Sequence, residues 1–220
     1  TGSEATPNSI LLDSKTNIKT GVISTKLIAD YVILDPQVTL TLPPSLTAST
    51  GFDALAHSLE CFISKKATPF SNLYAVKSIQ LVFENIEQAC HKPEDIASRQ
   101  NMLLASYYGG VCISCSSTTA IHAMAYPLSS MFYMPHGLSI AVLLPYVMEY
   151  IIDACIDLFA HLAYILKLNN HTDQNRSSKA FVDALFQLAD RCGLKLSISQ
   201  YGVTKEHLSI MADEAMQVKR

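Results

Sequence analysis

Between Gln100 and Met148 the chain carries no Asp, Glu, Lys or Arg. An uncharged stretch of that length belongs in an interior. Gly109, Gly110, Pro127, Pro135, Gly137 and Pro145 break it too often for a membrane span, as does the small polar run Ser114, Ser116, Ser117, Thr118 and Thr119. The interior is therefore that of a protein. The groups in it that titrate near neutral pH are His122, His136, Cys112 and Cys115. An unsatisfied polar group in such a place costs about 1–3 kcal/mol, so the fold must supply these imidazoles with partners.

A second stretch offers them. Leu42-Pro43-Pro44-Ser45 is a helix-start signal, and Gly51-Phe52-Asp53-Ala54-Leu55-Ala56-His57-Ser58-Leu59-Glu60 follows it. Helical positions four apart share a face, so Asp53 and His57 point the same way one turn apart. One carboxylate and three imidazoles, His57, His122 and His136, suffice for a divalent metal site. Such nitrogen and oxygen donors suit Fe(II) or Zn(II) rather than Mg or Ca. Spacing alone leaves the alternative open that these are hydrogen-bonded core histidines.

A chain of 220 residues can form one large domain or two small ones. It is 49% hydrophobic, ample for a core, while only 16% is charged, so part of its surface is expected to lie against other protein. A net charge of −3 with scattered basic residues argues against nucleic acid or an anionic membrane as partner. No signal peptide or 18-residue apolar run is present, which points to a cytoplasmic protein. The chain opens on Thr1-Gly2-Ser3-Glu4 without Met and reads as a piece of a longer one. Its six cysteines resemble no disulfide framework, and Cys112-Ile113-Ser114-Cys115 lacks the second pair a zinc site would need. Buried, inert thiols are expected.

In chain order, residues 8–12 read as a strand, 13–17 as a turn and 19–24 as the returning strand. Tyr31-Val32-Ile33-Leu34, closed by Asp35-Pro36, reads as a short buried strand. From Pro43 the pattern is helical. A first helix is expected over 47–64 and a second after the Thr68-Pro69 cap, with a stripe of Val76, Ile79, Phe83, Ile86 and Cys90. A third opens at Pro93-Glu94-Asp95, and Gly109-Gly110 within it permits close backbone contact. A helix over 118–128 carries His122, and His136 stands at the next helix start. Helices over 138–150 and 151–168, a solvated loop over 169–178, a helix over 180–192 stopped by Gly193, and a last helix capped by Thr204 complete the pattern.

Several motifs together resemble the iron-containing, group III alcohol dehydrogenases. They are Thr1-Gly2-Ser3-Glu4-Ala5-Thr6, Leu42-Pro43-Pro44, Gly51-Phe52-Asp53-Ala54-Leu55-Ala56-His57, His122-Ala123-Met124-Ala125, Pro135-His136-Gly137 and Tyr146-Val147-Met148-Glu149-Tyr150, in the family's order over nearly the whole chain. The resemblance implies a mainly α fold: a helical metal-binding domain of the dehydroquinate synthase-like type, preceded by a few strands of an α/β cofactor domain. It divides the chain into a remnant of the dinucleotide-binding domain at 1–42 and an all-helical catalytic domain at 43–220, with the family's last helix expected beyond Arg220. It implies Asp53, His57, His122 and His136 as ligands of Fe(II), or Zn(II), and NAD(H) or NADP(H) as cosubstrate. Thr1, Thr6, Asn8 and Lys19 would be what remains of the cofactor cleft, and a homodimer or larger assembly is expected. The family commonly has a second histidine four residues after its third ligand, where this chain has Tyr126. Tyr126 would then take part in the proton route, or merely line the cavity. Glu60 shares the Asp53/His57 face and is a candidate partner of His57, or else a surface or structural salt-bridge residue.

The chemistry so implied is hydride transfer between a nicotinamide and a small aldehyde or alcohol, with the metal as Lewis acid, and a piece lacking half its cofactor site should be inactive alone. Two rivals remain. A metal-dependent hydrolase or lyase would need a free base at the metal, Glu60 or Tyr126. A non-catalytic helical metal-binding module would need neither base nor cosubstrate.

Overall fold

The computed structural model describes residues 1–13, 18–169 and 172–217, without the side chains of residues 10, 12, 13 and 18–21. Among these residues the chain is mainly α, as expected. Eight helices, α1 (Pro44–Ile63), α2 (Pro69–His91), α3 (Ile96–Cys115), α4 (Ala120–Met131), α5 (His136–Tyr150), α6 (Ile156–Ile165), α7 (Gln174–Arg191) and α8 (His207–Met216), follow one hairpin, β1 (Asn8–Asp13) and β2 (Ile18–Ile23). The hairpin is antiparallel and pairs Asn8 with Ile23. The turn expected to join its strands falls, but for the Asp13 backbone, outside the described residues.

α1 is the axis of the helical body. Pro44 occupies the first helical position, where a missing N–H costs nothing. From Thr47 to Phe62 nearly every residue is buried, because α2, α3 and α5 pack around it. A helix surrounded in this way must be apolar on all faces or find partners for what is not. Ser58 Oγ donates to Ser78 Oγ at 2.7 Å, which donates to Ala105 O at 2.8 Å, so the polar groups between α1, α2 and α3 are chained. On α2, Thr68 and Ser71 form the reciprocal cap that Thr68-Pro69 promised. Ile79, Ile86 and Cys90 of its stripe are buried, with Val76 and Phe83 packed against them.

Two close approaches set the helix positions that matter below. The start of α5 closes on α1 so tightly that a Cβ on Gly137 would lie 2.9 Å from Ser49 O. α3 lies against the N-terminal turn Ser3–Ala5, where a Cβ on Gly110 would stand 2.2 Å from Gly2 O, and Ser114 Oγ donates to Ala5 O at 2.7 Å. The glycine pair read at 109–110 thus serves as expected.

Arg99, just before the uncharged stretch, is buried at the root of α1. Its guanidinium donates to Thr47 Oγ1 at 2.7 Å, Pro93 O at 3.0 Å and Leu42 O at 3.2 Å. Arg99→Met would keep the bulk and leave these acceptors unpaired. An expected loss of about 2–3 kcal/mol follows from the strength of bonds to charged groups, and a denaturant titration of the two proteins measures it.

Five expectations are corrected. Residues 31–34 form no strand, and Tyr31 and Ile33 are 92% and 91% exposed. An apolar run needs a neighbouring strand to bury it, and the described sheet has only β1 and β2. The helix read over 151–168 is a 3₁₀ turn, Ile152–Ala154, then α6, because the backbone leaves the helical region at Cys155 (φ −129°, ψ 19°) with no Gly or Pro to mark the break. The loop read over 169–178 gives way at Asp173. Its side chain accepts from Asn175 N and Arg176 N and starts α7, burying Ser177 and Ser178. Thr204 does not cap α8, since its N–H and hydroxyl pair with His207 Nδ1. Burial holds four of the thiols inside and raises the Cys112 pKa to about 12, but Cys155 is only half-buried and Cys115, at the end of α3, is exposed.

Candidate metal centre

α1 carries Asp53 and His57 one turn apart, α4 carries His122 in its first turn, and α5 begins at His136. The three helices bring these side chains together at Asp53 Oδ1. His122 Nε2 lies 3.4 Å from it, His136 Nε2 3.6 Å and His57 Nε2 3.8 Å. The donor atoms of Asp53, His122 and His136 all lie within 4.8 Å of one another. His57 flanks this trio, its ring stacked on that of His122 with centroids 4.6 Å apart. Asp53 Oδ1, His122 Nε2 and His57 Nδ1 are buried and make no hydrogen bond. Asp53 Oδ1 and His122 Nε2, stranded 3.4 Å apart in a dry place, cost free energy that a cation would recover. Donor chemistry and stranded atoms both fit a divalent transition ion.

The electrostatics agree with that use. Burial works against the Asp53 carboxylate, but His57, His122 and His136 outweigh it and hold its pKa far below the ordinary value. Burial pushes His57 down to about 3, against the pull of Asp53, so at neutral pH its imidazole is neutral. Burial also opposes charge on His122, but the carboxylates of Asp53 and Glu60 outweigh it and raise its pKa. The centre is exposed at His136, whose side chain is 56% exposed, while Asp53, His57 and His122 are buried.

Glu60 is not the partner of His57. It is fully buried against the start of α4, with Oε2 on His122 Nδ1 and Oε1 accepting from Thr119 Oγ1 and Ile121 N, each at 2.8 Å. Helical spacing put Glu60 on the right face, but nothing local could say that α4 begins there. Thr119 went unread as a site residue for the same reason. Tyr126 sits on α4 one turn beyond His122 and is 41% exposed.

Thr1, Thr6, Asn8 and Lys19 are the residues expected in a cofactor cleft. Thr1 borders a cavity of about 220 Å³, with Thr39, Leu42, Thr47, Gly51 and Arg99 among its walls. Thr6 is buried with its hydroxyl within reach of Ser3 O and Asn8 N, and Asn8 is exposed on β1. The Lys19 side chain lies outside the described residues.

The chain matches known proteins in sequence and in fold. Residues 47–220 match the model of the Fe-containing alcohol dehydrogenase family, C-terminal part. Long-chain-alcohol dehydrogenase 1 of Geobacillus thermodenitrificans is 35% identical over 221 residues, which are 100% of this chain and 55% of that protein. The crystal structure of a 1,3-propanediol oxidoreductase superposes with a TM-score of 0.95 at 31% identity, covering 99% of this chain and 57% of that one. That of sulfoacetaldehyde reductase from Bifidobacterium kashiwanohense, in complex with NAD+, gives 0.89 at 28% identity, covering 98% and 55%. The chain thus spans about half the length of these relatives. With the family model matched over α1 to α8 and the fold shared with a solved member, the chain belongs to the iron-containing alcohol dehydrogenase family.

Proposed function

We propose that this chain is the metal-binding part of an NAD(P)-dependent alcohol dehydrogenase or aldehyde reductase. Residues 43–220 would form its catalytic helical domain and residues 1–42 belong to the cofactor domain. The observation that carries the reading is the stranded Asp53 Oδ1 with three imidazole nitrogens facing it within 4 Å. Asp53, His57, His122 and His136 would hold Fe(II), or Zn(II). When bound, the ion supplies a Lewis acid for a small substrate's oxygen, and the nicotinamide gives or takes the hydride.

The chain's own residues do the rest. Asp53 supplies the anion, and the depressed His57 pKa keeps a neutral donor beside it. The uncharged walls from α3 to α5 exclude water and strengthen every electrostatic contact inside. The open side at His136 admits a small aldehyde or alcohol. Tyr126, one turn past His122, offers a hydroxyl as proton donor where the family commonly has histidine. Of the two bases a hydrolase or lyase could use, Glu60 is fully buried and spends its oxygens on Thr119, Ile121 and His122, which leaves that reading Tyr126 alone.

Calorimetric titration of the chain with Zn(II) and with NADH tests this, with binding of metal and not of NADH as the expected result. Metal competes with the proton that Asp53 and Glu60 favour on His122. Because that pKa is raised, the competition sets in above the ordinary value of 6.5, and affinity falls as pH drops from 8 to 6. Absence of metal binding at pH 8 overturns the proposal.

A further inference from the structure

Glu60 stands in the penultimate turn of α1, and its described hydrogen bonds all run to the start of α4. Thr119, the residue before α4, makes no cap bond with its own side chain. The Glu60 carboxylate fills that place from another helix, taking the Thr119 hydroxyl and the Ile121 N–H at 2.8 Å each. An anion there also meets the positive end of α4. Its other oxygen faces His122 Nδ1. An ionised carboxylate only accepts, so the hydrogen between them sits on Nδ1. A neutral His122 then has its lone pair on Nε2, the atom 3.4 Å from Asp53 Oδ1.

We propose that Glu60 is a positioning residue, which sets the start of α4 and the tautomer of His122 with one carboxylate and so presents Nε2 to the ion of the centre. This rests on the reading of the centre as a metal site. Within that reading it also completes a charge balance, since Asp53 and Glu60 together offset a divalent ion.

Glu60→Gln separates capping from positioning. A carboxamide has one accepting and one donating end. With its oxygen on Thr119 and Ile121, its NH2 faces His122 Nδ1, which must accept, and the hydrogen moves to Nε2, where the ligand lone pair is needed. Turned round, the NH2 abuts the Ile121 N–H, which cannot accept. The first arrangement is favoured, because an imidazole can shift its hydrogen and a backbone N–H cannot. Zn(II) affinity of the chain should fall ten- to hundredfold, the usual effect of losing a carboxylate behind a ligating histidine. The metal-free thermal midpoint should stay near that of the original, because the cap keeps its acceptor. In nitrogen-15 spectra of histidine-labelled, metal-free chain above pH 8, the His122 hydrogen should move from Nδ1 to Nε2.

Unchanged Zn(II) affinity in Glu60→Gln, with affinity lost in His136→Ala, would overturn the role of Glu60 and leave the metal centre standing. No Zn(II) binding by the original chain would overturn both. Should Glu60→Gln fail to fold, the original chain's own spectrum decides, since a His122 hydrogen on Nε2 would refute the proposal.

Discussion

On the proposed reading, Asp53→Asn should abolish metal binding by this chain and hydride transfer by the enzyme it would be part of. Asp53 is the carboxylate on which three imidazoles converge, and its Oδ1 lies within 3.8 Å of all three. Asparagine fits the same space and keeps an oxygen, so shape is conserved while the charge is lost. Losing a group that only supports a ligand typically costs ten- to hundredfold in affinity, so losing the anionic ligand itself should cost more than about hundredfold. The effect can be read without turnover. Metal bound to the native state stabilises it by about 2.7 kcal/mol when present at a hundred times its dissociation constant. Zn(II) should therefore raise the thermal midpoint of the original chain and leave that of Asp53→Asn where it was. An equal rise in both would show that the ion sits elsewhere.

Gly110→Val should detach the N-terminal segment from the helical body. A Cβ at this place would lie 2.2 Å from Gly2 O and 2.9 Å from Gly2 C, against backbone rather than a side chain that could turn away. Gly2 is itself pressed on α3, where a Cβ would stand 2.6 Å from Ser106 O and 2.8 Å from Gly110 N, and its φ of +69° suits glycine. Overpacking commonly costs about 1–3 kcal/mol. With backbone on each side of the one contact and a branched side chain, about 3 kcal/mol or more is expected. The Ser114–Ala5 bond at 2.7 Å would go with it. Amide exchange across 2–6 and urea unfolding measure the two effects. Protection unchanged at 2–6 would mean that the segment docks by other contacts. In the whole enzyme this contact would carry the cofactor part on the metal-binding part, so loss of turnover with metal still bound is the further expectation.

These two sites show where local reading succeeds and where it stops. The existence and type of most helices could be read from caps and periodicity. Thr68-Pro69 opens α2 as its chemistry requires, and Asp53 and His57 share a face because four residues are one turn. Gly193 stops α7 with φ +72°. Two boundaries went unread. Asp173 caps α7 within what looked like a solvated loop, and the chain turns at 152–154, around Asp153, with no Gly or Pro to mark the break. Residues 31–34 have a buried strand's composition and no strand to pair with among the described residues.

For the candidate centre, the residue types and the uncharged surroundings belong to the chain itself. A long segment without charge is expected inside, and most of α5 is, while Tyr126, Tyr133 and the His136 side chain stand exposed. The two histidines within it must meet something polar. Which polar groups they meet depends on how three helices cross. Gly137 lets α5 close on α1, so His136 reaches Asp53, and the start of α4 falls on Glu60, so His122 and not His57 receives that carboxylate. Spacing along a helix fixes neighbours within that helix. Contacts between helices depend on packing distances of a few tenths of an ångström, which no local pattern encodes.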